Sequence, residues 1–473
     1  KQKEKGDRRM KKTKKGFQMP HVYIILLLMM LLVVVISWVI PSGEYERVLD
    51  EATGRQIVNP DNFAYVEREN PITIMNYFEA VYNGFVSGAS IMGTLFICSG
   101  VIYILEVSGA FGAGIQKILS YTKNREFSVV VIFYTIFVIF GVLGYGEAAY
   151  PFYPLAVTIG FALGYDRVVG AGLAIVGSTV GFTCGMMNMF TTGVAQQLVG
   201  LPMFSGMGMR AVGLVVFYVI GLLGLFFYCK KIKKNPELSI VKDEYMVQHK
   251  KVENEKLLAM TPSRILGLIG FVAVIIIQGI GAVCYQWSFP QIAALYIMFG
   301  IVLGIIFRMN PNEVCTVFTQ GATRVFGAAF AIGLANSVVT LMNQAQILDT
   351  IVYKMAGLLY GKNAILTLLI IYVFVTLFNF LVVSGSGKAV IIMPILQPLG
   401  KILNINQQVL VLTYQYGDGI TNSFWPGSSM VPLSLCELGY GAWMRFCWKI
   451  YGGMMVAAFI LVIIANAIGY GPF

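Results

Sequence analysis

Residues 364–401 read AILTLLIIYVFVTLFNFLVVSGSGKAVIIMPILQPLGK. An apolar run reaches a polar tip, Ser384-Gly385-Ser386, and a second apolar arm, Gly387–Lys401, follows at once. That arm is short of the roughly 20 apolar residues a span needs, and Pro394 and Pro398 interrupt it. Such a pair of arms fits a re-entrant hairpin better than two crossings. Non-helical backbone at membrane depth is tolerated only where protein or a water-filled cavity surrounds it. Residues 127–163 repeat the pattern, with the tip Tyr145-Gly146-Glu147 and a short arm, Ala148–Leu163, broken by Pro151 and Pro154.

The rest of the chain agrees with a membrane setting. Of 473 residues, 57% are hydrophobic and 12% are charged. A soluble chain is about a quarter charged, so most of this one belongs in lipid. With the hairpins set aside, nine apolar segments remain as crossings: 22–40, 86–107, 167–185, 206–229, 263–284, 290–308, 325–343, 407–424 and 442–467. The first is long for a signal peptide's apolar region and has no small-residue cleavage site, so it reads as a retained helix.

Charge distribution orients these segments. Residues 1–16 carry nine Lys/Arg against two acids, and residues 230–264 carry nine against five. Residues 42–70 carry seven acids against three bases. Basic loops stay cytoplasmic. The N-terminus and the 230–264 loop are therefore expected inside and the 42–70 loop outside. Four crossings return the chain inside at 230; counting the two arms of the first hairpin as crossings makes six and returns it inside as well. The full count puts the C-terminus outside.

The chain also reads as a duplication. Asn70-Pro71 and Asn310-Pro311 open similar amphipathic stretches, Glu147 and Lys388 occupy the two tips, and Gly181 and Gly419 sit in two polar, glycine-bearing helices. From each first member to its counterpart the offset lies close to 240 residues. The two halves start on opposite sides of the membrane, because segment 263–284 flips the chain, and inverted repeats mark secondary transporters. The expected organisation is a basic cytoplasmic segment 1–19, a first repeat 20–229, a basic cytoplasmic loop 230–262, a linking helix 263–284 and a second repeat 290–473. The fold class is an all-α polytopic membrane protein.

Candidate binding groups collect at the tips and in the glycine-bearing helices. Gly146, Ser384, Gly385 and Ser386 let backbone approach a ligand, and the helix opening at each tip offers free N–H groups to a carboxylate. Glu147 and Lys388 are charges at membrane depth, where each costs about 2.5–3.5 kcal/mol on insertion scales. Glu147 could face a substrate cation, a proton or sodium, and Lys388 could balance charge. A structural ion pair, or exposure to water at the tips, explains the same residues without a substrate. Thr183 and Asn188 follow Gly181, while Asn422 and Ser428 follow Asp418 and Gly419. Polar, glycine-containing runs of this kind unwind helices and free carbonyls for substrate or cation; kinked helices held by Ser and Thr are the alternative. Asp418, Gly419 and Gly181 are coupling-ion candidates, with Asp418 equally readable as a helix cap. Glu106 reads as an interfacial residue.

Other classes lack their motifs. Gly385-Ser386-Gly387-Lys388-Ala389 lacks the first glycine and the Ser/Thr of a phosphate loop. HExxH and GxSxG are missing, so the chain does not read as an enzyme. The seven cysteines form no CxxC pair and indicate neither disulfides nor a metal site. No basic patch interleaves with aromatics, so no nucleic-acid partner is expected. The expected partners are the lipid bilayer and a small solute.

Pro20-His21-Val22-Tyr23, Trp38-Val39-Ile40-Pro41-Ser42-Gly43-Glu44-Tyr45, Glu147-Ala148-Ala149-Tyr150-Pro151-Phe152-Tyr153-Pro154, Gly164-Tyr165-Asp166, Ser384-Gly385-Ser386-Gly387-Lys388-Ala389 and Asp418-Gly419-Ile420-Thr421-Asn422 together resemble the YfcC family. That family sits with the DcuC-type C4-dicarboxylate carriers in a broader ion-transporter superfamily. The resemblance runs from about Pro20 to the end. It implies a homodimer in the inner membrane, an elevator mechanism, substrate at the hairpin tips, no cofactor, and sodium or protons as coupling ion. Members include dicarboxylate carriers and basic amino-acid antiporters of the arginine/ornithine type. Glu147 favours a basic amino acid, and Lys388 is the contact a dicarboxylate would need.

Overall fold

The computed structural model describes residues 21–50, 55–67, 72–121, 126–245, 259–285, 287–359 and 361–471. The basic segment 1–19, Asn70-Pro71 and residues 246–258 of the basic loop lie outside this set.

The chain is mostly helical. In order come α1 (Val22–Val39), strands β1 (Gly43–Asp50) and β2 (Arg55–Tyr65), α2 (Ile74–Val107), α3 (Ala110–Tyr121) and α4 (Glu126–Val142). A 3-10 turn, Gly146–Phe152, leads into α5 (Tyr153–Ala162). Next are α6 (Arg167–Cys184), α7 (Val194–Leu198), α8 (Met207–Lys234) and α9 (Pro262–Tyr285). The second half holds α10 (Phe289–Ile306), α11 (Pro311–Arg324), α12 (Phe326–Ala345), α13 (Leu348–Leu359) and α14 (Ala364–Phe378). It closes with α15 (Gly385–Ile402), α16 (Gln407–Thr421), α17 (Pro426–Leu435) and α18 (Tyr440–Ala467).

Among the described residues, seven helices are long and apolar enough to cross a bilayer. They coincide with seven of the nine expected crossings. Segment 22–40 forms a shorter apolar helix, and segment 407–424 forms the 15-residue α16. The lipid-facing character is visible on α8, where Val212, Val215, Val219, Leu223 and Phe227 are exposed at helical spacing. An apolar stripe of that length turned outward suits hydrocarbon. Helix α16 is the opposite case: Gln408 to Thr421 are all buried, although Gln408, Thr413, Gln415 and Asp418 lie among them. Its polar groups must find partners inside the protein.

The expectation of an all-helical chain misses one element. Strands β1 and β2 pair antiparallel, with an irregularity between Tyr45 and Arg47. Alternating polar and apolar residues in GEYERVLD have the period of a strand rather than a helix. The hairpin is fastened to α13: Asp349 accepts from the Tyr45 backbone N–H at 3.0 Å and pairs with Arg47 at 2.8 Å. Phe63 stacks on Tyr353 at 4.0 Å, and β2 packs along α15.

Elements recur in the two halves at close to one offset. From Ala110 to Leu348, the starts of α3 and α13, is 238 residues; from Glu126 to Ala364, α4 and α14, is also 238; from Arg167 to Gln407, α6 and α16, is 240. The same contact recurs as well. A Cβ on Gly177 of α6 would lie 3.0 Å from the Tyr134 carbonyl oxygen of α4. A Cβ on Gly417 of α16 would lie 3.1 Å from the Tyr372 carbonyl oxygen of α14. Only a hydrogen in place of the side chain lets each helix pair approach this closely.

Gly177→Val and Gly417→Val should each lower the melting temperature of the detergent-solubilised protein, by the equivalent of about 1–3 kcal/mol for overpacking. Gly452→Val, on the exposed face of α18 with no atom within 4 Å of its Cβ position, should melt with the wild type. Thermal unfolding read by tryptophan fluorescence decides it; a Gly417→Val variant as stable as Gly452→Val would refute the close approach.

Candidate functional site

The first tip forms because α4 ends in glycines that the turn requires. Gly144 and Gly146 have φ values of +70° and +49°, a region that costs most residues steric strain. Tyr145, between them, stacks on Phe140 and donates its hydroxyl to the Ile275 carbonyl of α9 at 2.7 Å. The 3-10 turn that follows packs against α2. Glu147 is exposed on this turn and has no hydrogen-bond or ion-pair partner among the described residues.

The second tip is built differently. Ser384 caps α15, its hydroxyl accepting from the Gly387 N–H at 3.2 Å, which leaves Gly385 and Ser386 half-buried at the helix start. A Cβ on Gly385 would touch the Thr191 methyl and come within 3.2 Å of an Asp418 carboxylate oxygen. The glycine is therefore what lets the tip close over α16. Tyr414 of α16 donates its hydroxyl to the Gly385 carbonyl.

Lys388 turns inward from this tip. Its ammonium and the Asp418 carboxylate are both 0% exposed and form an ion pair. The ammonium also donates to Asn379 Oδ1. Asn379, the C-cap of α14, in turn donates from Nδ2 to the Asp418 carbonyl at 3.1 Å, to Thr421 Oγ1 at 2.8 Å and to Asn422 Oδ1 at 2.9 Å. Asn422 Nδ2 lies 3.4 Å from the Asp418 carboxylate. The end of α14, the start of α15 and the end of α16 thus meet through one buried polar network. Burying two charges is costly, and their attraction offsets this only when further hydrogen bonds complete the geometry. Asn379 supplies them.

Across α16, Gln415 donates to the Phe182 carbonyl of α6 at 2.8 Å and accepts from Thr192 Oγ1 at 3.0 Å. Gly185, at φ +61°, ends α6 and carries the chain toward Thr191 and Thr192. The hydroxyls of Thr183 and Thr191 are buried without hydrogen-bond partners. Thr183 lies against Gly419 and the Thr191 methyl against Gly385.

The structure gathers Lys388, Asp418, Asn422, Gly385, Gly419 and Thr183 into one region. It keeps Gly146 and Glu147 on the other tip, beside Asn188, whose Cα lies 3.3 Å from the Cβ position of Gly144. Ser428 lies in α17 with its hydroxyl on the Trp425 carbonyl at 3.3 Å, a local cap. The expectation that Gly181 and Gly419 mark unwound helix is corrected. Both sit inside intact helix, because they serve crossings: Gly181 packs on the Val138–Val142 backbone of α4, and Gly419 on Thr183. The breaks come later, at Gly185 and after Thr421. Asn379, Thr191, Thr192, Tyr414 and Gln415 were missed. Asn379 alone had a local signal, as a lone amide closing an apolar run. Glu106 pairs with Arg324 at 3.0 Å on the partly exposed edge of α2, with the guanidinium 4.6 Å over Tyr103. A surface depression of about 640 Å³, lined by Tyr103, Cys315, Thr319 and Arg324, lies there.

Bilayer-length apolar helices around a buried polar centre define a multi-pass membrane protein. The profile of the C4-dicarboxylate anaerobic carrier family, DcuC, matches residues 19–467, and the chain belongs to that family. It is 28% identical over 498 residues to a protein of Escherichia coli (strain K12) that carries the provisional name basic amino acid antiporter YfcC, covering 97% of this chain and 98% of that protein. It is likewise 28% identical over 504 residues to an uncharacterized protein of Haemophilus influenzae, at 96% and 98% coverage. The family and the named relative are transporters, not enzymes. Among solved structures, Neisseria gonorrhoeae MtrF is similar with a TM-score of 0.45 and 18% identity over 96% of both chains. The Alcanivorax borkumensis YdaH transporter is similar with a TM-score of 0.44 and 15% identity, over 96% of this chain and 100% of that one.

Removing either partner of the buried pair strands the other charge. Lys388→Met and Asp418→Leu should each destabilise the protein by about 3–5 kcal/mol, and the double variant by less than either single. Thermal melts of the four proteins measure this; a double variant less stable than both singles would rule out a neutralising pair.

Proposed function

We propose that the protein is a secondary active carrier exchanging basic amino acids of the arginine/ornithine type across the inner membrane. The observation that carries this reading is the split in charge between the tips. Asp418 neutralises Lys388, so Lys388 is not a spare cation for a dicarboxylate. Glu147 is an exposed acid with no partner among the described residues, free to meet a substrate ammonium or guanidinium. The resemblance to a relative named as a basic amino acid antiporter points the same way. The family's own description favours a second reading, a C4-dicarboxylate carrier. It requires Lys388 to exchange Asp418 for substrate.

The finer mechanism belongs to the same proposal. Recurring elements near one offset, with the repeated glycine contact, support two inverted repeats containing re-entrant hairpins 127–163 and 364–401. In an elevator mechanism these hairpins and helices α6 and α16 move together within a homodimer. The N-terminus is cytoplasmic and the C-terminus outside, as the positive loops require. Coupling uses sodium or protons at Asp418.

In proteoliposomes, internal ornithine should accelerate uptake of labelled arginine. Glu147→Gln should raise the KM for arginine about tenfold or more, the size of a lost charge-assisted contact, without lowering the melting temperature. If Glu147→Gln transports arginine as the wild type does, the basic amino-acid reading falls; uptake of succinate in its place would favour the dicarboxylate reading.

A further inference from the structure

A second buried cation lies elsewhere on α16, and the tips do not account for it. Arg210, in the first turn of α8, is 1% exposed. Its Nη1 donates to the Ser205 carbonyl at 2.5 Å and its Nη2 to Gln408 Oε1 at 3.2 Å, while Nε has no partner. No carboxylate among the described residues pairs with it. A guanidinium does not deprotonate in proteins, and carbonyl and amide oxygens do not cancel its charge. A buried, unpaired charge is strongly destabilising. Among the described residues nothing supplies the missing charge, and an anionic ligand can.

The surroundings suit an anion. Tyr416 has a buried hydroxyl with no partner. It lies against Gly213 of α8, one turn beyond Arg210. Tyr470 places its hydroxyl on the Met209 N–H at 2.9 Å. The N-terminal ends of α8 and α16 meet here, since a Cβ on Gly206 would lie 2.9 Å from the Gln408 amide carbon. Both helices point their positive ends at this place. Gln196, Ser205 and Gln408 bond to one another and fill the remaining polar positions. The donors left open are Arg210 Nε and the Tyr416 hydroxyl.

We propose that Arg210, with Tyr416, forms a carboxylate subsite of the carrier, separate from the Lys388–Asp418 network. A carboxylate matches the guanidinium fork, accepting from Nε and an adjacent N–H together. Gln408, Gln415, Asp418 and Asn422 follow one another at helical spacing along one face of α16. They make a polar stripe from Arg210 to Lys388, about 15 Å at 1.5 Å per residue. The carboxylate of a transported solute is the ligand, and in its source this inference rests on the carrier reading above.

The test uses the full-length protein, in detergent for melting and in proteoliposomes for uptake. The probes are arginine against agmatine, which lacks the carboxylate, and succinate against its neutral diamide, with sodium chloride matching ionic strength. The expected result is a melting-temperature rise specific to a carboxylate probe. Arg210→Gln abolishes it and Tyr416→Phe reduces it, while Arg210→Lys retains part. In uptake, Arg210→Gln raises KM about tenfold or more. An equal shift in Arg210→Gln and wild type overturns the subsite, as does a shift that chloride reproduces. A wild type that takes up solute with no carboxylate-dependent shift overturns it too. An Arg210-dependent shift without uptake of any probe would sink the carrier reading and leave the subsite standing. Should Arg210→Gln fail to fold, Arg210→Lys decides: an unchanged KM and shift in that variant refute the bidentate contact.

Discussion

An ammonium and a carboxylate sealed from water hold the centre of this protein together. Lys388 lies near the start of α15 and Asp418 near the end of α16, and the two charges meet inside the protein. In a medium of low dielectric neither charge is tolerable alone. Asn379 links both to the end of α14. The arrangement fixes where the second tip sits, because Lys388 lies only a few residues beyond it. It also fixes the depth of α16, whose carboxylate must face the ammonium.

Close backbone approach is the second requirement, and it follows from the first. A short polar network closes only if the helices carrying it come nearer than side chains normally allow. Gly385, Gly417 and Gly419 each remove a side chain where α16 meets a neighbour. Gly177 and Gly181 do the same for α6 against α4. In lipid, helix association depends on such packing and on hydrogen bonds, since apolar side chains gain little by leaving lipid tails for each other. Small residues at crossings and polar groups at helix ends therefore occur together. Away from this centre the chain turns Val, Leu and Phe outward, as on α8.

The two tips are alike in sequence pattern and unlike in chemistry. At one, a lysine is drawn inward and neutralised. At the other, a glutamate stays exposed on a 3-10 turn held by Tyr145 to α9. That asymmetry is the physical basis for choosing between substrate classes. Arg210 adds a third charge whose partner the described chain does not supply, on the same helix α16 that carries Asp418.

The sequence alone determined the membrane setting, the positions of most long helices and the two tips. These depend on local quantities: apolar run length, proline and glycine placement, and net charge of loops. It also singled out Lys388, Asp418 and Glu147, since a charge in an apolar stretch is conspicuous wherever it falls. It did not find the β-hairpin, whose alternating pattern is short and lies within an acidic loop. Nor could it tell that Lys388 pairs with Asp418 rather than balancing Glu147, or that Gly181 and Gly419 serve packing. Pairing is a matter of which helix ends meet, and residues about thirty apart in the chain give no local sign of it. Asn379 and Gln415 illustrate the same limit. Each is an ordinary polar residue in sequence, and only burial without solvent gives its hydrogen bonds, or the lack of them, a consequence.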